Sequence, residues 1–133
     1  MNKTDFGAIQ SFQHNTNNSV PIAAIKALHQ DGVVCIRQAF SSEWLNVIEA
    51  GIGLALSGAS TDLDIVKRKD DTGSFSVSSG AWRQVEAFRH FIFDSHIGDI
   101  ALALLETKKL ALFYDFLLIK EALSNNAATP WHQ

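Results

Sequence analysis

The chain has 133 residues, 47% of them apolar and nine of them phenylalanine, which suits one core-forming domain and excludes a disordered or low-complexity protein. A net charge of -3 and a pI near 5.9 give no basis for a nucleic-acid partner. The lone Cys35 excludes an internal disulfide, and no run of apolar residues approaches the ~18 of a membrane span, so a soluble, cytoplasmic protein with no membrane contact is the expectation.

Residues 1–18 are rich in Asn and Gln and have no period, which predicts a loosely held polar arm with His14 a solvated side chain. A domain over 19–133 follows. Pro21 suits a first helical turn, with Ser19 near the cap position, and Ile22, Ile25 and Leu28 recur at helical spacing. Asp31-Gly32 ends that helix, since glycine takes the left-handed conformation without strain. Val33 to Arg37 then reads as a short strand in which Cys35 is a buried, inert thiol. Ser41 is the predicted N-cap of a second helix. Glu43 in its first turn suits the helix dipole, and Trp44, Ile48, Ile52 and Ala55 line one side. Gly51 and Gly53 lower its propensity and point to close packing against a neighbour.

Residues 61–79 form the most open stretch, and the mixed charges from Asp62 to Asp71 read either as a solvated loop or as a flap over a substrate opening. Asp62 and Asp64 lack the glycine and distal glutamate of a calcium loop. Ser74 to Ser78 alternates polar and apolar residues, as a half-exposed strand does. From Trp82 the pattern is helical, with Val85, Phe88 and Ile92 in one stripe. Ser95 caps a further helix bearing Ile97, Ile100, Ala101, Leu104 and Leu105. His90 and His96 straddle the break between these helices and read as surface or hydrogen-bonded histidines, not as a metal pair.

Leu110 to Lys120 is apolar at nearly every position and predicts a strand covered on both faces. Alternation puts Tyr114, Phe116 and Leu118 on one face and Asp115 and Leu117 on the other. Asp115 interrupts the run and requires a hydrogen-bond or cationic partner, because an unpaired buried carboxylate costs several kcal/mol.

The Asp31-Gly32-Val33-Val34 opening, the Trp82-Arg83 segment, the Ile-rich helix, the strand Tyr114-Asp-Phe-Leu-Leu-Ile-Lys120 and the closing Pro130-Trp131-His132-Gln133 occur in an order that resembles the phytanoyl-CoA dioxygenase family of Fe(II)- and 2-oxoglutarate-dependent oxygenases. The resemblance spans most of residues 28–133. It implies an α+β fold in which amino-terminal helices precede the first strands of a double-stranded β-helix of jelly-roll or cupin type. It implies Fe(II) and 2-oxoglutarate as cofactors, and oxidative decarboxylation of 2-oxoglutarate to succinate coupled to hydroxylation of a small organic or lipid-like substrate. His132 matches the first iron ligand of a His-x-Asp motif whose Asp would be the next residue. The chain is therefore expected to be the amino-terminal part of the domain, inactive alone. Phe116 matches a position lining the 2-oxoglutarate pocket, and Tyr114 shares its face. Trp131 and Gln133 fall on the substrate side.

In this class two imidazoles and one carboxylate hold the iron and leave open positions. The second imidazole, and an arginine pairing with 2-oxoglutarate, come from later strands. Family members often carry Lys-Pro-Pro or Lys-Pro-Gly after the strand, whereas here Glu121-Ala122-Leu123 follows Lys120, so Lys120 carries no role over. The competing reading is a complete small α+β binding domain without catalysis, with His132 incidental. In either case an exposed edge of the 110–120 strand offers a route to self-association.

Overall fold

The computed structural model describes residues 9–14, 19–61, 63–66 and 75–120. The backbone is mixed α+β, and it divides into two units, Met1–Leu45 with Phe93–Ala111 and Asn46–Ile92 with Leu112–Gln133.

In the first unit, β1 (Ser11–Gln13) lies parallel to β2 (Cys35–Arg37), with Phe12 opposite Ile36. Parallel neighbours need a crossover connection, and α1 (Ile22–Asp31) supplies it. Part of the expected polar arm is thus a paired strand. Its ends are fixed by backbone bonds from Cys35 N–H to Gln10 O (2.9 Å) and from His14 N–H to Arg37 O (3.0 Å). The sequence Ser-Phe-Gln carries one apolar residue, so nothing local announces the strand; its partner lies 24 residues away in the register Ser11 to Cys35.

Pro21, not Ser19, occupies the cap position of α1, in extended conformation (φ -60°, ψ 135°). Gly32 ends the helix as expected, at φ 72° and ψ -1°, donating its N–H to Leu28 O. The packed face is shifted from the predicted one, keeping Ile25 against the core and Leu28 half-buried. Ala24 and Ala27 are buried, whereas Ile22 is 71% exposed. Two alanines allow α1 to approach its neighbours closely, and a core forms from Val20, Ala24 and Ile100, with Phe12, Ile36 and Phe40 packed around it. Cys35 is half-buried on β2 rather than fully enclosed. Helix α4 (Ile97–Leu104) contributes Ile100; His96, not Ser95, occupies its cap position, although Ser95 Oγ accepts the Ile97 N–H at 3.3 Å. His96 is held by Ala39 O and packs against the rings of Phe40 and His14, at 5.0 and 5.3 Å between centroids. His14, expected in solvent, is half-buried in that stack, and its Nε2 has no hydrogen-bond partner among the described residues.

Helix α2 (Ser42–Leu54) starts where Ser41 predicts, with Leu45 N–H bonded to Ser41 O at 3.1 Å. A hydrogen bond from the Ser41 side chain, then one from the backbone of Glu43 itself, holds the Glu43 carboxyl below the usual glutamate range. A depressed folded-state value stabilises the fold at pH above the ordinary glutamate range, and this contribution is lost as pH falls through the depressed value. Glu43→Gln is therefore expected to flatten the acid limb of a denaturant-midpoint-against-pH curve. A variant whose acid limb is unchanged would show that the Ser41 contact does not persist in solution.

In the second unit α2 runs on into a π-helical turn, Ala55–Ala59, which Gly58 closes with φ 100°. The stretch 61–79, expected to be mostly open, contains β3 (Leu63–Val66) and β4 (Phe75–Ser79). With β5 (Phe116–Lys120) they form an antiparallel sheet in the order β3-β4-β5. Most of the charge run, Asp62 and 67–71, lies outside the described residues. The alternation of β4 is inverted relative to hydropathy: Ser76 and Ser78 are the buried residues, and Phe75 and Val77 are half-buried. Ser78 and Ser60 share a hydrogen bond of 3.1 Å that meets the polar requirement of this face. Thr61 donates both its N–H and its hydroxyl to Gln84 Oε1, at 2.6 and 3.0 Å, tying the end of the π-turn to the next segment.

Trp82 starts not an α-helix but a 3-10 turn, Ala81–Arg83, and α3 follows at Glu86–Asp94. Of the predicted stripe, Val85 (just ahead of α3) and Phe88 are buried with Ala55 and Ala81, Ile48, Ile52 and Leu117 pack against them, and Ile92 is half-buried. Gly51 is where α2 meets α3, because a Cβ there would lie 2.7 Å from Phe88 Cε1. Gly53 has open space around it, so the close-packing expectation holds at only one of the two glycines. No described helix is long and apolar enough to cross a membrane.

Candidate functional site

The strand expected over Leu110 to Lys120 is regular only over Phe116–Lys120. Nor is it covered on both faces. Leu117 and Ile119 are half-buried, while Phe116, Leu118 and Lys120 are exposed, as is the approach from Leu110 to Tyr114. The predicted two-face division stands, and the Asp115–Leu117–Ile119 side turns inward. One face of β5 packs toward α3 through Leu117, and β4 occupies only one edge, so among the described residues the other face has little to cover it.

Tyr114 and Phe116, the residues matched to a 2-oxoglutarate pocket, come together on the exposed side. Their rings meet edge to face with centroids 5.6 Å apart, and Phe113 packs on Tyr114 at 5.0 Å. Lys120 Nζ lies 5.6 Å from the centroid of Phe75, its partner across β4 and β5. The metal candidate His132 and the substrate-side candidates Trp131 and Gln133 lie outside the described residues. Among the described residues no three His, Cys, Asp or Glu side chains gather as a metal-binding group. His90 is exposed on α3 and His96 is engaged in its ring stack, in keeping with the surface and hydrogen-bonded roles expected of them.

Asp115 has the partner its position demands, and that partner is backbone. Its Oδ2 accepts the Trp82 N–H at 3.2 Å and its carbonyl accepts the Gly80 N–H at 3.2 Å, so one residue clasps the start of β5 to the Gly80–Arg83 turn. The Trp82 ring is flanked by the guanidinium groups of Arg83 and Arg89, 5.5 and 5.8 Å from its centroid. Beside the clasp, Ile48, Phe88, Phe91, Ile92, Phe116 and Leu117 line a cavity of about 240 Å³ with Asp115 at its wall. Sequence reasoning did not assemble this cavity. The one available signal was a carboxylate inside an apolar run, together with the i, i+3, i+4 spacing of Phe88, Phe91 and Ile92 on α3. A larger, more open groove runs along α1 past Ile22, Lys26 and Gln30. At its rim His29 Nε2 and Glu106 Oε2 lie 3.1 Å apart, an exposed pair of small energetic weight.

Comparison with protein-family models, with curated proteins and with solved structures returns no match to this chain.

Proposed function

We propose that the chain forms part of a non-haem Fe(II)- and 2-oxoglutarate-dependent oxygenase domain of the phytanoyl-CoA dioxygenase type, with β4 and β5 among the strands of a double-stranded β-helix. The reading rests on the order of motifs from Asp31-Gly32 to Trp131-His132-Gln133. The observation that carries it furthest is the aromatic pair Tyr114 and Phe116 on the exposed side of β5, the position the resemblance assigns to the 2-oxoglutarate pocket. Fe(II), when bound, supplies the chemistry that couples decarboxylation of 2-oxoglutarate to hydroxylation of the substrate. His132 would hold the metal through its imidazole, Tyr114 and Phe116 would wall the co-substrate with apolar surface, and Trp131 and Gln133 would serve the substrate side.

Succinate formation tests this. Protein expressed from the whole reading frame, given Fe(II), 2-oxoglutarate and oxygen, is expected to release succinate, and His132→Ala is expected to reduce that release to background. Succinate release that persists in His132→Ala would overturn the assignment of the ligand, and none from the whole protein would overturn the reaction.

A further inference from the structure

We propose that the outer edge of β5 pairs with the same edge of a second copy of this chain, joining two three-stranded sheets into one of six strands. The direction of the backbone groups carries the argument. Asp115 O accepts the Gly80 N–H at 3.2 Å, so in the antiparallel ladder the backbone groups of Asp115, Leu117 and Ile119 face β4. Those of the alternate residues, Phe116 and Leu118 among them, face the other way. Among the described residues no strand takes that side, because the sheet order ends at β5. Such an edge holds main-chain donors and acceptors in register for another chain. Edges that avoid pairing carry proline, a bulge or charge along their length. Phe116–Lys120 is a regular strand whose single charge sits at its end.

The side chains select a second copy as the occupant. The ladder that uses all of Phe116–Lys120 is antiparallel and two-fold symmetric about Leu118. Leu118 then meets the partner's Leu118, and Phe116 meets the partner's Lys120. Phe116 and Leu118 are 55% and 49% exposed, so pairing removes apolar surface from water. Charge is complementary as well. The two lysines lie at opposite ends of the ladder, and each faces a phenylalanine ring. The same residue pair already meets across β4 and β5, where Lys120 Nζ is 5.6 Å from the Phe75 centroid. An axis at Asp115 would instead oppose two carboxylates. Phe116 also belongs to the face that the oxygenase reading assigns to 2-oxoglutarate. The pairing uses the strand edge and does not rest on that reading.

Sedimentation equilibrium of the 133-residue chain, without iron or 2-oxoglutarate, is expected to give a mass that rises with concentration from 14.6 kDa to twice that value and stops there. Failure of the oxygenase reading leaves this measurement untouched. Leu118→Pro deletes an N–H that points away from β4, so the β4–β5 ladder stays whole while the outer edge loses a donor and gains an obstructing ring. It is expected to weaken dimerisation at least about tenfold with an unchanged far-ultraviolet circular dichroism spectrum. Cross-linking tests the register. Leu118→Cys on a Cys35→Ser background sets two thiols opposite each other, with Cα atoms about 5.5 Å apart, within disulfide reach. Oxidation is expected to give a covalent dimer, and this decides the matter should Leu118→Pro fail to fold. Phe116→Cys and Lys120→Cys, each alone on that background, place their like thiols four residues apart along the ladder and are expected to cross-link far less. A mass that stays at one chain or climbs past two would overturn the proposal. So would undiminished dimerisation of Leu118→Pro, or cross-linking at position 116 or 120 equal to that at 118.

Discussion

Phe88→Ala is expected to lower the free energy of unfolding by about 3–5 kcal/mol, the usual cost of emptying a buried phenylalanine site. Phe88 is 7% exposed and belongs to the cluster with Ala55, Ala81 and Val85. Ile48, Ile52, Trp82 and Leu117 pack against that cluster, so longer side chains can relax partly into the space and the loss should lie toward the lower part of that range. Domains of this size are stable by only about 5–15 kcal/mol, so the change is a large share of the total. Urea denaturation followed by far-ultraviolet circular dichroism measures it. Phe113→Ala is the control: that ring is 88% exposed, and its removal should stay within about 0.5 kcal/mol. Comparable losses at the two positions would mean that the cluster around Phe88 does not form as described.

Gly51→Val should cost about 2–3 kcal/mol, although glycine is the poorest helix former after proline and most replacements within a helix stabilise it. The reason is contact. A Cβ at this position would meet Phe88 Cε1 at 2.7 Å, Phe88 Cδ1 at 3.0 Å and Ala87 Cβ at 3.2 Å. The ring is buried and the alanine has no rotamer to change, so α2 and α3 must move apart to admit it. Two residues on, the same helix has open space: Gly53→Ala meets nothing within 4 Å and should raise stability by about 0.5–1 kcal/mol through reduced backbone entropy in the unfolded chain. Opposite signs at neighbouring glycines are the signature of this packing. The two core changes should also couple, because Phe88→Ala removes the ring that the introduced valine side chain would strike. In a double-mutant cycle the Gly51→Val penalty is expected to shrink by about 1 kcal/mol or more on the Phe88→Ala background. Additive effects would place the ring elsewhere.

The helices were legible because their signals are local. Gly32 stops α1 by its own φ, Ser41 and Ser95 mark helix starts within two residues, and the Val85–Phe88–Ile92 stripe needs only the helical period. What escaped depends on partners far along the chain. β1 exists because it pairs with β2 across α1, and Phe12 alone hints at it. Ile22 outweighs Ala24 on any hydropathy scale, yet the close approach of neighbouring elements selects the small residue for burial. The same applies to Ser76 and Ser78, both small and buried, with Ser78 hydrogen-bonded to Ser60 just past the π-turn. At the candidate site the alternation about Asp115 was readable, and so was its need for a partner. That the partner is the Trp82 amide, 33 residues upstream, was not, since backbone groups leave no trace in residue identity.

Iron retention tests the central claim most directly. The protein from the whole reading frame, reconstituted anaerobically with Fe(II) and 2-oxoglutarate and then desalted, is expected to hold one iron per chain, and His132→Ala is expected to hold none. Equal iron in the two proteins would contradict the account.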